Sequence, residues 1–129
     1  MSSIVREPLN GERAVCPVHA QTPLWLSSPD TVIDNLITLH DVGAAELSLS
    51  RTVNLPGISV TADEMVDALR SAYGAAVADK VEWIFEDRIQ KIVGTWPRGW
   101  NTTRALGLGM VADSNVLDLI RQYAAEVAV

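Results

Sequence analysis

Few side chains in this sequence combine a reactive type with a spacing that chemistry could use. His19 and His40 are the two histidines and Cys16 is the single cysteine. No spacing joins them into a metal pattern such as C-x2-C or H-x3-H, and one cysteine forms no internal disulfide. The run Gly107-Leu108-Gly109-Met110-Val111-Ala112 satisfies the dinucleotide-loop pattern G-x-G-x-x-G/A. Such a loop must leave a buried strand and open a helix whose N-terminus receives a pyrophosphate. Here Thr102 to Leu106 reads as helix, and only about twenty residues follow, too few for a βαβ unit. The run therefore reads as a glycine-rich helix exit. No nucleophile elbow G-x-S-x-G supports a Ser–His–Asp arrangement. Tyr73 and Tyr123 are followed four positions on by Val77 and Val127, so neither heads a Tyr-x3-Lys pair. No residue is assigned a catalytic role, and none a metal.

The unusual feature is a cluster of aromatic and cationic residues: Trp83, Arg88, Trp96, Pro97, Arg98 and Trp100. Guanidinium groups beside indoles stack well and bind a carboxylate through two parallel hydrogen bonds. Two readings stay open. The cluster is either a satellite of the core beneath a long loop or a recognition surface for a small anionic or polyhydroxylated ligand.

The elements that would position these residues have local signatures. Ser28-Pro29-Asp30 reads as a helix start, with Ser28 as cap, Pro29 in the first turn and Asp30 against the positive dipole end. Behind it Val32, Ile33, Leu36, Ile37 and His40 fall on one face, and Gly43 is a stop. His40-Asp41 then sits at a helix end, where a cation satisfies the last carbonyls. Thr61-Ala62-Asp63-Glu64 fits a capping box, followed by an apolar stripe of Met65, Val66, Leu69, Ala72 and Tyr73 up to Gly74. A third helix begins near Asp113 or Ser114 and carries Val116, Leu117, Ile120, Tyr123 and Val127. A shorter one opens at Asn101 and carries Ala105 and Leu106. Ala14 to Val18, Leu24 to Ser27, Thr52 to Leu55, Ile58 to Val60 and Val81 to Phe85 are extended candidates. The expected architecture is a small mixed α/β domain (α+β in isolation) of short strands and three to five helices.

Composition bounds the rest. The 129 residues suit one domain, and 48% apolar with 20% charged side chains exclude a disordered chain. A net charge of −6 disfavours nucleic acid as a partner, because phosphate binding needs a net-positive face. No apolar run is long enough for a bilayer, and the N-terminus lacks a basic-then-apolar signal. These features are read as a cytoplasmic location with no membrane partner.

The order of three motifs is more specific than any one of them. Leu24-Trp25-Leu26-Ser27-Ser28-Pro29-Asp30, then Val53-Asn54-Leu55-Pro56-Gly57 before a capped helix, then Asn101-Thr102-Thr103-Arg104-Ala105-Leu106-Gly107 resembles the C-terminal part of extended short-chain dehydrogenases/reductases, the NAD-dependent epimerase/dehydratase family. Ser2-Ser3-Ile4-Val5-Arg6-Glu7-Pro8-Leu9, Leu55-Pro56-Gly57, and Arg88-Ile89-Gln90-Lys91-Ile92-Val93 with Trp96-Pro97 are similar to the D-erythronate dehydrogenase-like members. The likeness covers essentially the whole chain, residues 1–129. It implies a substrate-binding C-terminal domain of a Rossmann-type enzyme, with the Rossmann NAD-binding half absent and needed as a partner. NAD would serve the complete enzyme, and this chain alone is expected neither to bind it in the usual way nor to transfer a hydride.

Within that resemblance, nucleotide-sugar members place an arginine seven positions before the helix-capping aspartate. Counting back from Asp30 gives Pro23. A diphosphate lacking that partner would leave buried charge unpaired, which is costly. A small sugar acid has no diphosphate to satisfy. The resemblance places Ser2 and Ser3 near the substrate, Arg98 on its carboxylate, and Arg88 as a second candidate. The leading reading is the substrate-binding segment of an oxidoreductase acting on a small, erythronate-like sugar acid. The alternatives are a nucleotide-sugar epimerase or dehydratase fragment and a stand-alone, non-catalytic binding module. Without a Rossmann sheet the segment should expose apolar surface, which a homo-oligomer would cover.

Overall fold

The computed structural model describes residues 3–127. Among them are eight helical segments and four short strands: α1 (Ser3–Leu9), β1 (Ala14–Cys16), β2 (Pro23–Leu26), α2 (Pro29–Asp41), α3 (Ala44–Leu47), β3 (Ile58–Thr61), α4 (Ala62–Tyr73), α5 (Ala75–Ala78), β4 (Val81–Trp83), α6 (Asp87–Val93), α7 (Thr103–Gly107) and α8 (Val116–Val127). The mixed α/β class stands as expected. The helix number exceeds three to five because α3, α5 and α7 are single turns of four or five residues, too short to show a 3.6-residue period.

The three long helices begin where local caps dictate. Ser28 accepts from the Thr31 N–H at the head of α2, with Pro29 next to it. Thr61 and Glu64 form the reciprocal capping box of α4, and Gly74, at φ 87°, ends that helix in a conformation other residues resist. Ahead of α8, Asn115 Oδ1 accepts from the Asp118 N–H at 2.9 Å.

The described strands form two pairs. β1 runs parallel to β4, Ala14 opposite Val81 and Cys16 opposite Trp83. β2 runs antiparallel to β3, Pro23 opposite Thr61 and Leu26 opposite Ile58. The core lies where α1, α4 and α8 close over these pairs: Ile4, Cys16, Val18, Leu24, Met65, Leu69 and Ile120 are almost entirely buried. Burial pushes the Cys16 thiol above its ordinary pKa, partly offset by contact with the Val18 carbonyl.

Two sequence expectations fail. Thr52 to Leu55 does not form a strand. The Arg104 guanidinium instead takes the carbonyls of Leu47, Ser50 and Thr52, holding this stretch as a loop. The apolar face of α2 does not meet the core either. Ile33, Leu36 and Ile37 are each more than half exposed, while the polar Asn35 is the buried residue of the helix. The reason is a set of polar anchors on the opposite side. Asn35 Nδ2 donates to the Val111 carbonyl at 2.7 Å, and its Oδ1 accepts from the Val111 N–H at 2.8 Å. Asp113 accepts from the Ser28 N–H (2.7 Å), Ser28 Oγ (2.6 Å) and Thr31 Oγ1 (2.8 Å). These bonds turn α2 so that its apolar stripe faces outward. Among the described residues no helix is long and apolar enough to cross a membrane.

Candidate functional site

Beyond β1 the chain turns sharply through His19 to Thr22, closed by the Thr22 N–H on the His19 carbonyl at 2.9 Å. The turn is tied down on two sides. The Asp63 and Ala62 N–H groups, at the head of α4, donate to the carbonyls of Ala20 and Thr22. From α6, Gln90 Oε1 accepts from the His19 N–H at 2.8 Å and from Thr22 Oγ1 at 3.2 Å. The His19 ring stacks on Phe85, with centroids 4.3 Å apart. Thr22 is 4% exposed, so the floor of this corner is fixed.

The opposite wall comes from the irregular segment after α6. The Trp96 N–H donates to the Val93 carbonyl at 3.0 Å, prolonging the helix end. Ser59 Oγ, on β3, donates to the Arg98 carbonyl at 2.8 Å, pinning that backbone to the β2–β3 pair. Gly99 then lies beside the Trp25 ring, where a Cβ would make ordinary contact with Cζ3 at 3.5 Å. Between the walls is a pocket of about 230 Å³, lined by His19, Gln21, Thr22, Pro23, Gln90, Val93, Gly94, Trp96 and Arg98. It is smaller than the roughly 300–1,000 Å³ of pockets for drug-sized ligands. No carboxylate lines it, and Arg98 brings a guanidinium with five N–H donors and no acceptor. The arrangement suits a small anion bearing hydrogen-bonding groups. A second concavity of about 240 Å³ lies between Trp25, Val53, Asn54, Leu55 and Trp100. The fold therefore divides the aromatic cluster: Trp96 and Arg98 share the first pocket, Trp100 faces Trp25 across the second, and Trp83 stays on β4, half exposed.

The other residues singled out in the sequence lie elsewhere. Arg88 is exposed on α6, two positions from Gln90 and so on the opposite side of that helix, and it does not line the pocket. Ser3 opens α1 and lines neither concavity; Ser2 lies outside the described residues. Thr22 and Gly94 have no signature in the sequence, and Gln90 stands there only as one member of the run from Arg88 to Val93. They meet Arg98 only because α6 packs across the turn that follows β1.

The G-x-G-x-x-A run does not suit a dinucleotide. It follows α7 rather than a strand, and the position where a Cβ would sit on Gly109, at φ 89°, lies 3.7 Å from the Thr38 methyl of α2. Among the described residues no three His, Cys, Asp or Glu side chains converge on a metal site. Asp113 is a perturbed carboxylate outside the pocket. Burial raises its pKa, but hydrogen bonds from Ser28 Oγ, the Ser28 N–H, Thr31 and Ser27 outweigh it and hold the carboxyl below its usual value. That is a structural clasp on α2 rather than a reactive group.

No protein-family model matches the chain. The D-erythronate dehydrogenase of Cupriavidus necator is 49% identical over 122 residues, covering 95% of this chain and 38% of that protein. The D-erythronate dehydrogenase of Haemophilus influenzae is 43% identical over 123 residues, covering 95% and 39%. The chain thus spans less than two fifths of the length of these relatives. Among solved structures, a nucleoside-diphosphate-sugar epimerase from Agrobacterium tumefaciens superposes with a TM-score of 0.91 at 29% identity, over 96% of this chain and 36% of that one. A GalE-like L-threonine dehydrogenase from Cupriavidus necator gives 0.79 at 21% identity, over 96% and 44%, a likeness of fold alone.

Proposed function

Because this chain is related to D-erythronate dehydrogenases over nearly its whole length and is similar in fold to a nucleoside-diphosphate-sugar epimerase, we propose that it is the substrate-binding part of an NAD-dependent oxidoreductase acting on a small, erythronate-like sugar acid. The observation that carries this reading is the pocket itself: one guanidinium, no carboxylate, and polar partners in a space suited to a small ligand. Arg98 takes the carboxylate through paired N–H donors, and Trp96 walls the same space. Pro23, at the position where nucleotide-sugar enzymes would place a second cation, lines the pocket with an apolar ring. One acid group is matched by one guanidinium; a diphosphate would be left short of partners.

The dinucleotide and the acid/base group belong, on this reading, to the further length that the relatives possess. Ile33, Leu36 and Ile37 on α2 offer that portion an apolar surface, and the stretch from Thr52 to Leu55 lies beside an open concavity. The second reading, a nucleotide-sugar epimerase or dehydratase, draws on the high structural likeness to the epimerase. Titration of the chain with D-erythronate and, separately, with UDP-glucose decides between them. The sugar-acid reading expects D-erythronate to bind and Arg98→Ala to weaken it at least tenfold, as about 1.5–3 kcal/mol for a charge-assisted pair requires. Binding of UDP-glucose without D-erythronate would transfer the pocket to the second reading. Binding of neither, by a monodisperse monomer with a cooperative melt, would favour a non-catalytic module.

A further inference from the structure

Gln90 lines the pocket with an orientation that the backbone dictates. The backbone N–H of His19 can only donate, so only the carbonyl end of the Gln90 amide can stand 2.8 Å from it. Thr22 Oγ1, itself buried, adds a second hydrogen bond to the same oxygen at 3.2 Å. With Oε1 engaged by His19 and Thr22, Nε2 is the other branch of the amide. That nitrogen points toward Gly94, where an added Cβ would lie 3.7 Å from it, and Gly94 is part of the pocket wall. Gln90 and Arg98 both line the cavity, and the two Nε2 N–H bonds of Gln90 have no protein acceptor among the described residues.

We propose that Gln90 is a specificity-determining residue, aimed by His19 and Thr22, which donates through Nε2 to an oxygen of the small acid that Arg98 holds. The proposal rests on the small-acid reading of the pocket given above. Donation from a fixed amide favours a ligand with a carboxylate or hydroxyl oxygen at that point, and a ligand with a methylene there leaves the donor unpaired. The positioning is local: the turn after β1 aims the amide, and α6 supplies it.

The test uses the 129-residue chain labelled with nitrogen-15 and titrated with D-erythronate, following the Gln90 side-chain amide and the Arg98 Nε–H resonances. Both are expected to shift along the same saturation curve. Gln90→Glu keeps an oxygen for His19 and Thr22 but replaces the donor by an anionic acceptor. It is expected to weaken D-erythronate at least tenfold while the melting temperature is kept. Thr22→Val, which removes one of the two bonds aiming the amide, is expected to weaken it several-fold and covers the case of a poorly folded glutamate variant. If Arg98 shifts while Gln90 does not, or if Gln90→Glu binds as the parent does, the Gln90 proposal is overturned and the small-acid pocket stands. If neither resonance shifts, both readings fall.

Discussion

Asn35 tests most directly why α2 presents its apolar face to solvent. The side chain is 1% exposed and bonds the Val111 backbone twice, at 2.7 and 2.8 Å, as a neighbouring strand would. Asn35→Ala removes both bonds and leaves a donor and an acceptor on Val111 without partners. At about 1–1.5 kcal/mol for each of the two buried bonds, the loss is about 2–3 kcal/mol. For a chain of this length that corresponds to about 6–15 °C in Tm, taking about 3–5 °C per kcal/mol. Asn35→Asp separates geometry from charge. One carboxylate oxygen still accepts from the Val111 N–H, but the other would face the Val111 carbonyl in a buried site, so the folded-state pKa rises above the usual value of about 3.9. In the interval between those two values the folded state binds more protons than the unfolded one, so stability falls as pH rises. The aspartate variant should therefore lie nearest the parent at about pH 4 and fall away toward neutrality, where a buried unpaired charge is costly. Thermal melts followed by circular dichroism at both pH values measure this. If Asn35→Ala melts within a degree or two of the parent, or Asn35→Asp shows no added pH dependence, the anchoring argument is wrong.

Two further expectations follow from the same structure. Asp113 has its pKa held down in the fold, so its stabilisation is complete above the unfolded carboxylate value and is lost as pH falls through the lower folded one. The Tm difference between the parent and Asp113→Asn should shrink on moving from pH 6 to pH 3, and a constant difference would show that the charge of Asp113 contributes nothing. At Gly57 an added Cβ would lie 2.6 Å from the Leu26 carbonyl oxygen and 2.7 Å from Trp25 Nε1, whereas at Gly107 nothing stands within 4 Å. Gly57→Ala should cost about 1–3 kcal/mol and shift the tryptophan fluorescence, while Gly107→Ala should be neutral or stabilising by up to about 1 kcal/mol; equal melts for the two variants would contradict the close approach.

The local signals in the sequence were sufficient where the physics is local. Caps at Ser28 and Thr61, the stop at Gly74 and the apolar stripe of Met65, Val66 and Leu69 depend on groups within one or two turns of each other, and each lies where the spacing placed it. The order of short motifs also marked the kinship with erythronate dehydrogenases and the epimerase fold. The candidate pocket was only half legible. Arg98 and Trp96 stood out by residue type, but Gln90 and Thr22 acquire meaning only when α6 crosses the turn after β1, a contact spanning 68 to 71 positions. Periodicity likewise named the apolar face of α2 and could not say which way it points. Hydrophobic pattern fixes which side chains share a face. Tertiary hydrogen bonds from Asn35 and Asp113 decide which face the protein covers, because a buried polar group must find its partner wherever the fold has put it.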